Sequence, residues 1–190
     1  MQQPDNYARL LAAHAEMSAG RYGAARAALE QLVSVGEHQA LLYLGWMHER
    51  GLGSPVDEAR AAACYQTVCD TGDQWGCYHA ASLKFRRRDI AGALELYVRA
   101  AEAGHPSAAY WASAIYDGEG GYACDPERAT YYLVKAAECG HVFARRDLAK
   151  QRMRQPGRIH CRAFAALQYS WEVLKGFPII AKDADDPRVR

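Results

Sequence analysis

Proline is scarce, at 7 of 190 residues, so few positions forbid a continuous helix. No apolar run approaches the roughly 18 residues of a membrane-spanning helix. Met1 to Asn6 holds neither a basic segment nor an apolar one. No secretory leader is therefore visible, and a cytoplasmic location is expected. Neither sign of charge dominates: 24% of residues are charged and the formal net charge is +1, beside 50% hydrophobic residues. That balance excludes a disordered tail and suits a chain with a real core. The motifs of common enzymes are also missing. There is no Gly-x-Ser-x-Gly, no P-loop and no Gly-x-Gly-x-x-Gly after a strand. Ser34, Ser82, Ser107 and Ser113 have no evident Lys or His partner by spacing, so no catalytic residue and no cofactor are expected. The close pairs Cys77/His79, Cys139/His141 and His160/Cys161 include no Cys-x-x-Cys, and no metal site is expected from them.

What the sequence has in plenty is alanine, 36 residues, which packs helices closely without side-chain entropy loss. It recurs in a register. Gly36, Gly72, Gly104 and Gly140 stand 36, 32 and 36 residues apart. Counting from each glycine as zero, position +4 holds Ala40, Gly76 and Ala108, and position +8 holds Leu44, Ala80 and Ala112. Position +9 holds Gly45, Ala81 and Ser113, and position +11 holds Met47, Leu83 and Ile115. Glycine-rich turns follow in the first and third units, at Gly51–Gly53 and Gly118–Gly121; the middle unit has Phe85-Arg86-Arg87-Arg88-Asp89 there instead. The units realign at Ala61, Ala93 and Ala129.

A fixed period of this length marks a repeat array. Small residues three or four apart lie on one helix face and allow close approach of a second helix. Ser54-Pro55-Val56-Asp57 reads as a helix start with Ser54 as N-cap, and Asp125-Pro126-Glu127 as another. The four glycines suit the left-handed position past a helix end. The fold expected is an all-α solenoid of antiparallel helix pairs over 1–155, with units of about 5–36, 37–72, 73–104, 105–140 and a partial 141–155. A capping helix over 156–176 and an extended tail over 177–190 should follow.

The string Ala40 to Gly53, with Asp57, Ala61, Tyr65 and Gly72, resembles the Sel-1-like repeat, a relative of the tetratricopeptide repeat. Ala108 to Tyr116, Gly118, Gly120, Asp125, Ala129, Tyr131, Tyr132 and Gly140 resemble it too, and 73–104 does in part. The resemblance implies a non-catalytic adaptor or scaffold, with another protein or a peptide segment as partner. The family's groove-facing positions fall here on Leu42, Trp46, Trp75, Tyr78, Phe85, Tyr110, Phe143, Arg146 and Lys150. Cys69 sits in the last turn of one expected helix and Cys77 in the first turn of the next, near enough for a bridge. Their spacing is similar to the helix-linking disulfide of the Helicobacter cysteine-rich proteins, which share the repeat. The other reading of the pair is two small apolar thiols in a core. The same relatives imply an alternative function, a penicillin-like small-molecule binder or weak hydrolase.

Charge is uneven. Residues 141–176 carry eight Arg or Lys against Asp147 and Glu172. This basic end could meet an acidic partner, an anionic membrane surface or nucleic acid; the favoured reading is a solvated face on capping helices, which need a polar exterior, and thin aromatic interleaving lowers the nucleic-acid option. Phe177, Ile179 and Ile180 form an apolar cluster in the tail, expected to dock on the chain's own body or to pair two copies as a homodimer.

Overall fold

The computed structural model describes residues 3–154, 166–171 and 173. Among them nine α-helices follow one another: α1 Gln3–Ser18, α2 Tyr22–Ser34, α3 Gln39–Arg50, α4 Glu58–Asp70, α5 Gln74–Arg86, α6 Ile90–Glu102, α7 Pro106–Tyr116, α8 Pro126–Glu138 and α9 Val142–Arg154. A 3-10 turn, Glu119–Gly121, lies between α7 and α8. No strand occurs among the described residues, and the fold is the all-α helical-repeat class expected. Of the expected capping helix, residues 166–171 and 173 are helical. The rest of it, and the tail with Phe177, Ile179 and Ile180, lie outside the described residues.

The chain forms two compact units, residues 1–83 and 84–190. In the first, α1 packs on α2 and α3 on α4. Leu10, Ala13 and Met17 of α1 join Ala25, Leu29 and Leu32 of α2 and Ala40, Leu44 and Met47 of α3 in one core cluster. Positions +4, +8 and +11 of α3 thus face the preceding helix pair. Position +9 faces the helix's own partner. At Gly45 an added Cβ would fall 2.6 Å from the Tyr65 ring of α4. In the second unit the equivalent Ser113 hydroxyl donates to the Ala129 carbonyl of α8 at 2.8 Å. A small side chain at +9 is what lets each pair close.

Caps explain where the helices begin. Gly36, Gly72, Gly104 and Gly140 all have φ between 86° and 97°, the left-handed conformation expected of them. The N-caps differ from expectation in one unit. Ser54 does not cap; its hydroxyl accepts from Arg26 at 2.8 Å, and α4 begins only at Glu58. The cap is Asp57, which accepts from the Arg60 amide at 2.9 Å, while its own amide donates to the His48 carbonyl. That bond ties the loop back onto α3 and delays the helix. Asp89 and Asp125 stand at the same register position and accept from Gly92 at 3.0 Å and Arg128 at 3.1 Å. The middle unit manages its shorter turn with Arg88 at φ 65°, the single non-glycine residue with positive φ among those described, and a Lys84–Asp89 ion pair at 2.9 Å.

Cys69 and Cys77 are joined in a disulfide, their Cα atoms 4.4 Å apart. The reading as two separate core thiols is therefore replaced. Gly76 makes the approach possible, because an added Cβ there would meet the Cys69 amide nitrogen at 2.6 Å. Closing so short a loop removes about 2–3 kcal/mol of unfolded-chain entropy. Reduction is therefore expected to lower the urea midpoint of the wild-type chain and to leave a Cys69→Ala/Cys77→Ala chain unmoved. Equal midpoints for oxidised and reduced wild type would contradict this.

Candidate partner-binding faces

The first helix of each pair carries the expected groove residues. In the first unit Leu42, Trp46 and Trp75 are half-buried. Tyr78 is not an open anchor: it is 4% exposed, with its ring edge on His79 at 5.3 Å. In the second unit Phe85 packs on Trp111, ring centroids 5.4 Å apart, and Trp111 stacks in turn near Tyr97 at 6.2 Å. Phe85 is thus held within the helix packing by a tryptophan that the groove positions did not include.

Tyr110, Phe143, Arg146 and Lys150 do come together, around Asp147. The Tyr110 hydroxyl donates to Asp147 Oδ2 at 3.0 Å, Arg146 Nε donates to Oδ1 at 3.0 Å, and Lys150 Nζ lies 3.4 Å from Oδ1. Arg146 sits over the Phe143 ring at 5.1 Å, and Lys150 over Tyr169 at 5.5 Å. Burial acts to raise the Asp147 carboxyl, but the bonds from Arg146 and Tyr110 hold it below its ordinary value. Burial, then the bond to Asp147, pushes the Tyr110 phenol up. Asp147 therefore stays ionised and keeps two cations and a phenol in fixed places, a preorganised polar edge.

This edge borders a cleft of about 400 Å³ walled by α7, α8 and α9. Tyr110, Ala114 and Asp117 line it from one face of α7, spaced three or four residues apart as a helix face requires. Leu133 and Ala129 of α8 are apolar lining, and Asp147, Lys150 and Gln151 of α9 supply polar groups. The lining is mostly polar, with Ala114, Ala129 and Leu133 as its apolar part beside Asp117, Thr130, Asp147, Lys150 and Gln151.

Sequence reasoning missed the residues that set α7 and α9. His105 Nδ1 accepts from the Ala108 amide at 3.1 Å and His141 Nδ1 from the Ala144 amide at 3.3 Å. Asp73 does the same for α5, accepting from Gly76 at 3.0 Å. All three stand one residue past the closing glycine, a recurrence legible in the register but outside the usual list of capping residues where it is histidine. His141 also stacks on Tyr110, centroids 4.5 Å apart. Burial pushes its pKa down to about 4, against a smaller upward pull from Asp147. It is thus neutral at pH 7 and free to accept.

Three of the four serine hydroxyls weighed for catalysis donate to backbone carbonyls. Ser34 donates to Gln31 O, Ser82 to Tyr78 O and Ser113 to Ala129 O. Among the described residues no group of three or more His, Cys, Asp or Glu side chains is placed to hold a metal ion. No described helix is long and apolar enough to cross a membrane.

Residues 38–73, 75–105 and 106–141 match the Sel1 repeat, more than half of the chain. The chain belongs to the Sel1 repeat family. Solved structures agree at the level of fold. One is c5321, a protective antigen of uropathogenic Escherichia coli with an SLR fold: TM-score 0.74, 20% identity, 92% of this chain covered. The Sel1 chain spans only 39% of that antigen. A Sel1 repeat protein from Oxalobacter formigenes has TM-score 0.73 and 20% identity over 87% of this chain and 70% of its own. MamA has TM-score 0.55 and 17% identity over 89% and 96%. No curated protein matches the sequence significantly.

Proposed function

We propose that this Sel1 repeat protein is a non-catalytic adaptor that holds a segment of another protein against the first helices of its repeats. The observation that carries the reading is the cleft walled by α7, α8 and α9. It is large enough for a few side chains of an extended or helical segment, and it sets the Tyr110 ring and the apolar Ala129 and Leu133 beside polar groups fixed in advance. Leu42, Trp46 and Trp75 offer aromatic and aliphatic contacts on the first unit in the same role. Membership of a repeat family supports the general role and leaves the partner's sequence open. The expected cytoplasmic setting would reduce the Cys69–Cys77 bridge, whereas an oxidising compartment would keep it; thiol labelling of the protein taken from its native cells separates the two.

Filling the cleft tests the reading. Ala114 is half-buried on the cleft wall, and arginine is a good helix former. Ala114→Arg should leave the melting temperature within a few degrees of wild type and weaken capture of the native partner at least tenfold. Trp46→Ala/Trp75→Ala should weaken it as well. Undiminished capture by Ala114→Arg would remove the cleft from the account.

A further inference from the structure

The cleft between α7, α8 and α9 holds a carboxylate that the chain does not pair. The charged groups of its lining are two acids, Asp117 and Asp147, and one cation, Lys150. Asp147 is well supplied: the Tyr110 hydroxyl, Arg146 Nε and Lys150 Nζ all lie on it. Asp117 is not. It is exposed, and among the described residues no hydrogen bond or ion pair reaches its carboxylate. The nearby cations are committed elsewhere. Lys150 is held by Asp147 and the Tyr169 ring. Arg128, in the first turn of α8, lies 3.4 Å from Asp125 and sits over Tyr116. Its amide, one of those at a helix start that favour an acid, already donates to Asp125.

The position of Asp117 is unfavourable for an acid. It is the C-cap of α7, and its amide donates to the Ser113 and Ala114 carbonyls. A helix end of that kind carries partial negative charge and favours a cation, so a carboxylate there is repelled. The last turn of α7 holds no basic residue. A cation supplied from outside the chain would relieve the carboxylate and the helix end together. The walls indicate what would carry that cation. Ala114 stands one turn before Asp117 on the same face of α7, and Ala129 and Leu133 line the cleft from α8. An aliphatic stem lies along such apolar side chains while its charged head stays at the wet end.

We propose that the protein segment received by the cleft carries a lysine or arginine, its charged head paired with Asp117 and its stem lying on Ala114, Ala129 and Leu133. This rests on the adaptor reading above and adds the partner's chemistry to it. Asp117 is then the residue that selects among segments. A neutral side chain at that point covers the carboxylate without pairing it, and an acidic one sets like charges together.

A displayed library of short random peptides, selected against the full chain, tests this. Peptides that the wild type holds and Ala114→Arg releases should be enriched in lysine and arginine. Replacing that basic residue by glutamine should weaken binding about tenfold, and so should Asp117→Asn. Combining the two changes should cost little more than either alone, because both remove the same pair. Without peptide, Asp117→Asn should melt at or above the wild-type temperature, since the acid has no partner in the chain itself. A lower melting temperature would show that the chain uses the carboxylate and would overturn the proposal. Cleft-dependent peptides that lack basic residues, or that bind Asp117→Asn as well as wild type, would overturn it too and leave the adaptor reading standing. If no selected peptide is released by Ala114→Arg, the cleft takes no segment and both readings fall.

Discussion

Gly76→Ala should destabilise the protein by at least about 2 kcal/mol, although alanine is the better helix former by about 0.5–1 kcal/mol. The reason is space. A Cβ at position 76 falls 2.6 Å from the Cys69 amide nitrogen and 2.8 Å from the Val68 carbonyl carbon. Both are backbone atoms of α4, so no side-chain rotation relieves the clash, and overpacking of this kind costs about 1–3 kcal/mol or more. The shift should also pull Cys77 away from Cys69 and make the bridge easier to reduce. Gly23→Ala is the control. Nothing lies within 4 Å of a Cβ built there, and the substitution should stabilise by about 0.5 kcal/mol. Urea unfolding of the two variants checks the opposite signs. Similar stability for Gly76→Ala and wild type would mean that α4 and α5 do not approach as closely as described.

Acidification should cost stability well above the pH at which carboxylates protonate. His141 binds a proton below about 4 when folded, but near 6.5 when unfolded. Between those values the unfolded chain holds more protons, so stability is full above the unfolded pKa and falls as pH drops. The loss from about pH 7 to about pH 5 should be roughly 2 kcal/mol. His48, whose pKa burial and then Arg26 and Arg60 lower, adds loss of the same sign. Burial of the ring is the cause at His141, and a protonated Nδ1 would also give up the Ala144 amide at the start of α9. His141→Asn keeps a capping oxygen and removes the titration. Its stability should fall less over the same interval, by most of those 2 kcal/mol. Equal losses in wild type and variant would place the proton uptake elsewhere.

The packing that closes each repeat is legible because it depends on side-chain size at fixed positions. Gly45 and Ser113 at +9, and Ala40 and Gly76 at +4, announce close helices before any coordinates exist. The closing glycines are legible for the same reason, since the left-handed position tolerates little else. The N-cap of α4 is less so. Ser54 and Asp57 both cap well by type, and what decides between them is the bond from the Asp57 amide to His48, a contact across the loop. The partner-binding positions are harder still. A register tells which residues leave a helix on one side, and Tyr78 and Tyr110 share position +6. It does not tell that Tyr78 is enclosed while Tyr110 reaches Asp147 and borders a cleft, because that depends on which neighbours fill the space beside each ring.

The proposed function turns on whether the cleft between α7, α8 and α9 receives another protein. Photo-crosslinking from single positions in the native cell tests it most directly. A crosslinker at Ala114 or Gln151, both on the cleft, should trap one discrete partner, and the adduct should vanish when Tyr110→Ala is added. A crosslinker at Thr67, exposed on α4, should not trap it. Adducts from Thr67 with none from Ala114 or Gln151 would contradict the account.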